Sequence, residues 1–301
     1  LDEICSCVGC LTCSDLLGQN LPVLCMANTR TSREREYAVR PAARPQRVVV
    51  VGAGPAGLES ARVAAERGHA VTVLERGGEP GGQLLLSRHV PGREDLAALV
   101  VYLAAAVARA GGEIRLGVEA TEEVVRREEP DVVIIATGSR PGIPPIPGIL
   151  DSPAVDLFQM LRRPLSGSRR ALVIGGGMLG VGAAHALAAR GVLVWVVEPG
   201  GELSSELGVR PRWQYVAGLR GRANVTVHLN TTVEALWADG ALLRSGDRAV
   251  ELGGLDLVVS TRPRVAVNEL AEALKTRAGG PPVFEVGDCV VPRTAFEAMQ
   301  E

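Results

Sequence analysis

The apolar positions of this chain fall into two copies of one pattern. Val48 to Val51 are four valines in a row, as expected of a parallel strand covered on both faces. Gly52, Gly54 and Gly57 follow at once in G-x-G-x-x-G spacing, with Pro55 and Ala56 inside the motif. A helix and a second strand come next, closed by Glu75 and Arg76. Adding 123 to each number lands, without a gap, on Ala171 to Pro199, where Gly175, Gly177, Gly180, Gly191 and Glu198 repeat Gly52, Gly54, Gly57, Gly68 and Glu75. Strand, glycine turn, helix, strand and acid, read twice, predict an α/β chain with two Rossmann-like dinucleotide-binding units.

Each part of the motif has a physical task. The first glycine permits a tight turn, the second lets backbone approach a pyrophosphate, and the third lets helix and strand pack closely. The helix N-terminus then points its free amides at the phosphates. An acid ending the second strand can bind both ribose hydroxyls of an adenosine. Glu198 favours a free 2′-hydroxyl over a 2′-phosphate, because two anions would repel, so NADH is expected there ahead of NADPH.

The remaining pattern fills in around these units. In the 77–86 stretch, Gly82 and Gln83 suit backbone approaching the middle of a dinucleotide, although a plain loop also fits. A helix is predicted over Leu96–Ala110, and a strand over Ile114–Thr121 whose backbone at Val118 could meet an adenine. Asp131–Pro141 reads as a buried strand ending in Thr137-Gly138, and the Pro/Gly-rich 141–148 stretch marks a domain boundary. Short strands are expected over Val225–Leu229 and Thr231–Leu236, a hairpin over Gly240–Arg248, and a last strand over Leu255–Ser260. Near the end, a strand runs into Gly287-Asp288 and a helix starts after Pro292. That turn can present amides and Asp288 to a polyol or phosphate, or can be a plain helix entry. The expected division is a segment 1–45, a first nucleotide domain of 46–150 plus 265–301, and a second of 151–264 inserted into it.

Composition narrows the functional classes. The 301 residues are 47% hydrophobic and 22% charged, with a net charge of -2, which gives no electrostatic footprint for nucleic acid. The longest apolar run, Leu96 to Ala108, is too short to span a bilayer. A cytoplasmic setting is expected. The sequence starts at Leu1 and its last helix stops after about two turns, so it reads as part of a longer chain.

Five of six cysteines, Cys5, Cys7, Cys10, Cys13 and Cys25, lie in the first 25 residues. From Cys7 the spacing is C-x2-C-x2-C-x11-C. Three thiolates at intervals of three can wrap one side of an iron–sulfur cubane, and a distant fourth can close it. Zinc accepts the same four thiolates. Cys5 is left over, as a spare thiol or an alternative ligand. Residues 26–45 read as an extended linker crossing the surface of the next domain.

The order of parts resembles one family. Four cysteines, a glycine motif followed by GGQ, an ATG strand, an inserted second nucleotide domain and the ending GDCVVPRTAFEA are similar to the C-terminal half of the trimethylamine dehydrogenase and 2,4-dienoyl-CoA reductase group, relatives of old yellow enzyme. The resemblance covers essentially the whole chain, and its specific parts are the cysteine pattern and the GDC-x-x-P-R-T ending. It implies a glutathione-reductase-like pair of domains and a 4Fe–4S cluster on Cys7, Cys10, Cys13 and Cys25. It places FAD along Gly52, Gly54, Gly57, Glu75, Gln83, Thr137, Gly138 and Asp288, with ADP in that pocket as the alternative, and a pyridine nucleotide at Gly175, Gly177, Gly180 and Glu198. It also implies an FMN-bearing barrel, on a missing half or a partner subunit, and an external electron acceptor as a further partner; an oligomer is expected as well. Two positions depart from the family. VVSTRP (258–263) lacks a Thr-Gly pair, and Gly182 stands where a Glu is common, so a second domain kept only for its shape is a competing expectation.

Two rivals share parts of the pattern, and a third reading is non-enzymatic, an ADP-binding scaffold that docks or stabilises a catalytic partner. A small glutamate-synthase-like subunit would bring cysteines for a second cluster, and a thioredoxin-reductase-like enzyme needs a C-x-x-C in its second domain. Residues 171–264 contain no cysteine.

Overall fold

The computed structural model describes residues 4–162 and 167–301. In chain order the elements are α1 (Thr12–Gly18), β1 (Arg47–Val51), α2 (Pro55–Glu66), β2 (Ala70–Glu75), α3 (Leu96–Arg109), β3 (Glu113–Leu116), α4 (Glu122–Arg127), β4 (Val132–Ile135) and β5 (Ser139–Pro141). There follow β6 (Ala154–Asp156), α5 (Leu157–Arg162), β7 (Arg170–Ile174), α6 (Met178–Ala188), β8 (Leu193–Val197), α7 (Val209–Arg220), β9 (Val225–His228), β10 (Thr232–Trp237), β11 (Gly240–Ser245), β12 (Arg248–Gly253) and β13 (Leu257–Ser260). The chain closes with β14 (Arg264–Ala266), α8 (Glu269–Lys275), β15 (Val283–Glu285) and α9 (Ala295–Gln300). It divides into two compact units, one of Leu1–Arg88, Glu94–Arg140 and Val265–Glu301, the other of His89–Arg93 and Pro141–Arg264. The cysteine segment thus falls in the first unit and residues 141–150 in the second.

The first unit is built on a parallel sheet in the order β15-β4-β1-β2-β3. Side chains alternate between the faces of a strand, and β1 shows why its valines are unbroken. Val48 and Val50 join Leu58, Val73, Leu99 and Leu103 on one face. Val49 and Val51 join Leu74, Val133, Ile135 and Leu274 on the other. The chain leaves β1 toward β2 and β3, then returns to place β4 and β15 on the opposite side. The crevice at the carboxyl ends of β1 and β4 is the switch point where open α/β sheets bind ligands.

The second unit repeats this with a parallel sheet in the order β6-β13-β7-β8-β9. Its extra feature is the antiparallel meander β10-β11-β12, packed on Leu172 and Val258 of the parallel sheet through Leu236, Ala241 and Leu243.

Three local expectations change. The strand predicted over Ile114–Thr121 ends at Leu116, because Gly117 turns the chain with φ +70°. Val118 then donates to the Glu75 carbonyl at 2.9 Å. The predicted Gly240–Arg248 hairpin turns at Gly246 (φ +56°) and runs on as β12 to Gly253. Residues 28–37 form successive turns instead of an extended crossing. Asn28 accepts from the Arg30 amide, Glu34 from the Ser32 amide, and the Arg33 guanidinium stacks on Tyr37.

Candidate functional site

In the first unit the glycine motif divides its labour between packing and openness. A Cβ at Gly57 would lie 2.0 Å from the Gly52 carbonyl oxygen, and one at Gly52 (φ +102°) 2.4 Å from that of Ala136. These two glycines are required by the fold. A Cβ at Gly54 would meet nothing within 4 Å, so its face is open. Pro55 is the first residue of α2, where its missing N–H costs no hydrogen bond, and Ala56 lies buried behind it. The Glu75 carboxylate accepts from the amides of Ala53 (2.8 Å) and Gly77 (2.7 Å), tying the glycine turn to the chain beyond β2. Arg76 is exposed beside it.

The 77–86 stretch folds back over this turn. Gly81 donates to the Ala53 carbonyl at 2.7 Å, and a Cβ at Gly82 would lie 3.1 Å from Gly54 Cα. Gln83 then donates through Nε2 to the Ser139 carbonyl at 2.7 Å, close to Gly138 (φ +74°). The Ser139 hydroxyl donates to Asp288 Oδ2 at 2.7 Å, and Asp288 Oδ1 accepts from the Arg293 amide at 2.9 Å. Thr137 donates its hydroxyl to the Val267 carbonyl. The Gly287 amide (φ +71°) donates to the Glu301 carboxylate at 2.7 Å. Ser139 thus joins three residues singled out from the sequence, Gln83, Gly138 and Asp288. It was itself missed; its one signal is its place directly after the strand-ending Thr-Gly.

The second unit repeats the glycine turn and the bonds of its closing acid. A Cβ at Gly180 would lie 1.7 Å from the Gly175 carbonyl oxygen. Glu198 accepts from the amides of Gly176 (2.7 Å) and Gly200 (2.8 Å), matching the bonds of Glu75. The match reaches further than the sequence pattern, since Ser204 donates to the Gly176 carbonyl at 2.8 Å as Gly81 does to Ala53. The departures also gain physical reasons. Thr261, in the strand end lacking Thr-Gly, donates to the Ile174 carbonyl at 2.8 Å and lies over Gly175. At Gly182 a Cβ would come 2.7 Å from the Tyr215 hydroxyl, which donates to the Met178 carbonyl at 3.3 Å. Tyr215 fills the space a larger residue at 182 would need. Its burial pushes the phenol pKa up to about 12, against the opposing Arg93 guanidinium 4.1 Å from its ring. Beside it, burial lowers the His185 pKa, and His185 Nε2 lies 3.0 Å from the Tyr215 carbonyl oxygen.

The cysteine segment is docked on the first unit. Gly9 (φ +63°) and Leu11 (φ 59°) curl the Cys7–Cys13 loop, and Gln300 of α9 donates to the Cys25 carbonyl at 3.1 Å. Thr29 donates to Glu59 at 2.7 Å, within the buried Glu59–Arg62 pair of α2. All six cysteines are free thiols; Cys7 is exposed and Cys10, Cys13 and Cys25 are half-buried. Burial raises the Cys5 thiol pKa, and the neighbouring thiols of Cys25 and Cys7 raise it further. Among the described residues no three His, Cys, Asp or Glu side chains are arranged to hold a metal ion. The four free thiols on one docked segment nevertheless suit, as a donor set, a thiolate-bound metal or cluster. No described helix is long and apolar enough to cross a membrane.

A family model described as pyridine nucleotide-disulphide oxidoreductase matches residues 46–301. A metal reductase of Desulforamulus reducens is 30% identical across all of this chain and 49% of its own length. A multifunctional alkene reductase/demethylase OYE of Caballeronia cordobensis is 42% identical over 49% of this chain and 21% of its own length. The structure of 2-naphthoyl-CoA reductase in complex with 2-naphthoyl-CoA superposes with a TM-score of 0.92 at 31% identity, covering 99% of this chain and 46% of that one. The chain spans about half the length, or less, of the relatives it matches.

Proposed function

The chain belongs to the pyridine nucleotide-disulphide oxidoreductase family, whose members bind FAD and NAD(P)H, and from that premise we propose that it is the electron-transfer part of an NADH-dependent flavin oxidoreductase. In this proposal the first repeat holds FAD, the second takes NADH, and Cys7, Cys10, Cys13 and Cys25 hold a 4Fe–4S cluster. The observation that carries it is the doubled glycine cradle. Each copy is closed by a carboxylate on two loop amides, and the first lies open at Gly54 with Gln83, Ser139 and Asp288 joined at its far end. A bound flavin supplies two-electron hydride chemistry and single-electron release, and a cluster supplies one-electron transfer.

The residues have separable tasks. Gly52, Gly54 and Gly57, with the free amides of α2, cradle the pyrophosphate. Glu75 keeps lone pairs for ribose hydroxyls after accepting its two amides, and the Val118 backbone lies next to it for the adenine. Gln83, Thr137 and Gly138 line the middle of the dinucleotide, and Gly287 and Asp288 its polyol. Gly175, Gly177, Gly180 and Glu198 do the same for NADH, with Glu198 disfavouring a 2′-phosphate.

Because the chain spans about half of its relatives, the substrate chemistry is assigned to an FMN-bearing barrel on the rest of the chain or on a partner, with electrons flowing either to it or from it to an external acceptor. A second reading, ADP in the first repeat and a second domain kept as scaffold, draws on one observation: the Gly177 face is covered by Glu206 and Arg262.

Anaerobic visible spectra before and after NADH test the proposal. Bands near ~450 nm for flavin and ~400 nm for the cluster, both bleached by NADH, are expected. Serine at Cys7, Cys10, Cys13 or Cys25 is expected to remove the iron and its absorbance while the flavin band stays. A cluster signal without flavin, and ADP released on denaturation, would favour the scaffold and refute the FAD assignment.

A further inference from the structure

The two glycine cradles differ at the one glycine whose task is to let a pyrophosphate approach. The face of Gly54 is open, whereas a Cβ at Gly177 would lie 2.6 Å from Glu206 Oε1 and 2.8 Å from a terminal nitrogen of Arg262. Glu206 Oε1 also accepts from the Met178 amide, the first of α6, at 2.5 Å. That amide has no partner inside the helix and is one of those a bound phosphate would use. Glu206 and Arg262 form an ion pair at 3.7 Å. Glu206 stands 123 residues after Gln83, whose amide donates to the Ser139 carbonyl, and the position matching Met178 is Pro55, which has no N–H to cap.

We infer that Glu206 is a built-in stand-in for a dinucleotide phosphate, and that Arg262 is the residue that takes the phosphate once Glu206 leaves. This rests on NADH as the ligand of the second repeat. A carboxylate and a pyrophosphate cannot share the same amides, since both are anionic and both need the unpaired donors of one helix turn. Nucleotide entry therefore requires Glu206 to swing out, and its departure frees the guanidinium of Arg262 beside the incoming charge. The loop carrying Glu206 is suited to such a change. Ser204 has φ 50°, at the position where the first repeat has Gly81, a strained conformation for a residue with a side chain. The Ser204 hydroxyl is also buried without a hydrogen-bond partner. A rearranged loop relieves both.

The test is NADH binding to the whole chain by equilibrium titration, for the wild type, Glu206→Gln, Glu206→Ala, and Arg262→Ala in the Glu206→Ala background. Glu206→Gln keeps the shape and removes the charge, so it guards against loss of fold, and thermal unfolding checks each variant. A plug shut about 90% of the time lowers the apparent affinity about tenfold, so both Glu206 variants are expected to bind NADH up to about tenfold tighter. Arg262→Ala is expected to cancel that gain. Wild-type binding of NADH that neither Glu206 substitution tightens overturns the inference and leaves the second repeat as an NADH site. No NADH binding by any variant overturns both.

Discussion

Gly57 is required by packing, and Gly54, whose face is open, is the glycine the proposed function assigns to the ligand. Alanine at Gly57 places a methyl 2.0 Å from the Gly52 carbonyl oxygen and 3.1 Å from the Ala136 side chain. Those contacts are made by backbone and by a rigid side chain, so α2 must move away from β1. Overpacking of this kind costs roughly 1–3 kcal/mol, which lowers Tm by about 2–12 °C for a domain of this size. Alanine at Gly54 meets no atom within 4 Å, and the backbone there (φ -75°, ψ -179°) suits any residue. Losing glycine at an N-cap costs about 1 kcal/mol or less, while the stiffer unfolded chain returns about 0.4–1 kcal/mol, so stability changes little. In the proposed FAD assignment the new methyl stands where the pyrophosphate approaches. Gly54→Ala is therefore expected to fold normally yet lose its bound adenine nucleotide, and Gly57→Ala to lose stability first. Thermal unfolding paired with chromatography of the nucleotide released on denaturation reads both effects. If Gly54→Ala keeps a full complement of nucleotide, or unfolds as readily as Gly57→Ala, the assignment of the two glycines is wrong.

Two further outcomes concern the second unit. Burial lowers the His185 pKa, so its folded value lies below the unfolded 6.5; the unfolded chain takes up the proton first, and stability fully present above pH 6.5 is lost as the pH falls from there toward the folded value. The urea midpoint of the wild type should drop between pH 7.5 and 5.5 by more than that of His185→Gln, and equal drops would rule His185 out as the cause. Gly182→Ala should destabilise the wild type, where the Tyr215 hydroxyl is 2.7 Å from the new methyl, but much less in Tyr215→Phe. A double-mutant cycle with coupling below about 0.5 kcal/mol would contradict that packing account.

The sequence made the repeated βαβ frame legible because strand burial, glycine spacing and the closing acid are local signals, and four valines in a row admit few other uses. The same cues place Glu75 and Glu198 at the ends of their second strands; that each accepts from two loop amides is seen only in the fold. What stayed hidden depends on chain returning from far away. Helix α7 is not legible in the sequence because its face is irregular: Val209 and Trp213 are 63% and 74% exposed, which blurs a helical period. Ser139 gains its place only when Gln83, 56 residues before it, and Asp288, 149 after it, fold onto its two polar groups. Gly182 read as a missing Glu, yet its cause is Tyr215 on another helix. Glu206 lies in an ordinary loop by composition, and only the fold sets it on the amide of Met178, 28 residues earlier. The motif therefore specifies a cradle twice over, but whether a cradle is open is decided by side chains the motif does not contain. The two repeats share their glycines and closing acids and still present different surfaces to a phosphate, so ligand occupancy has to be argued for each from its own covering residues.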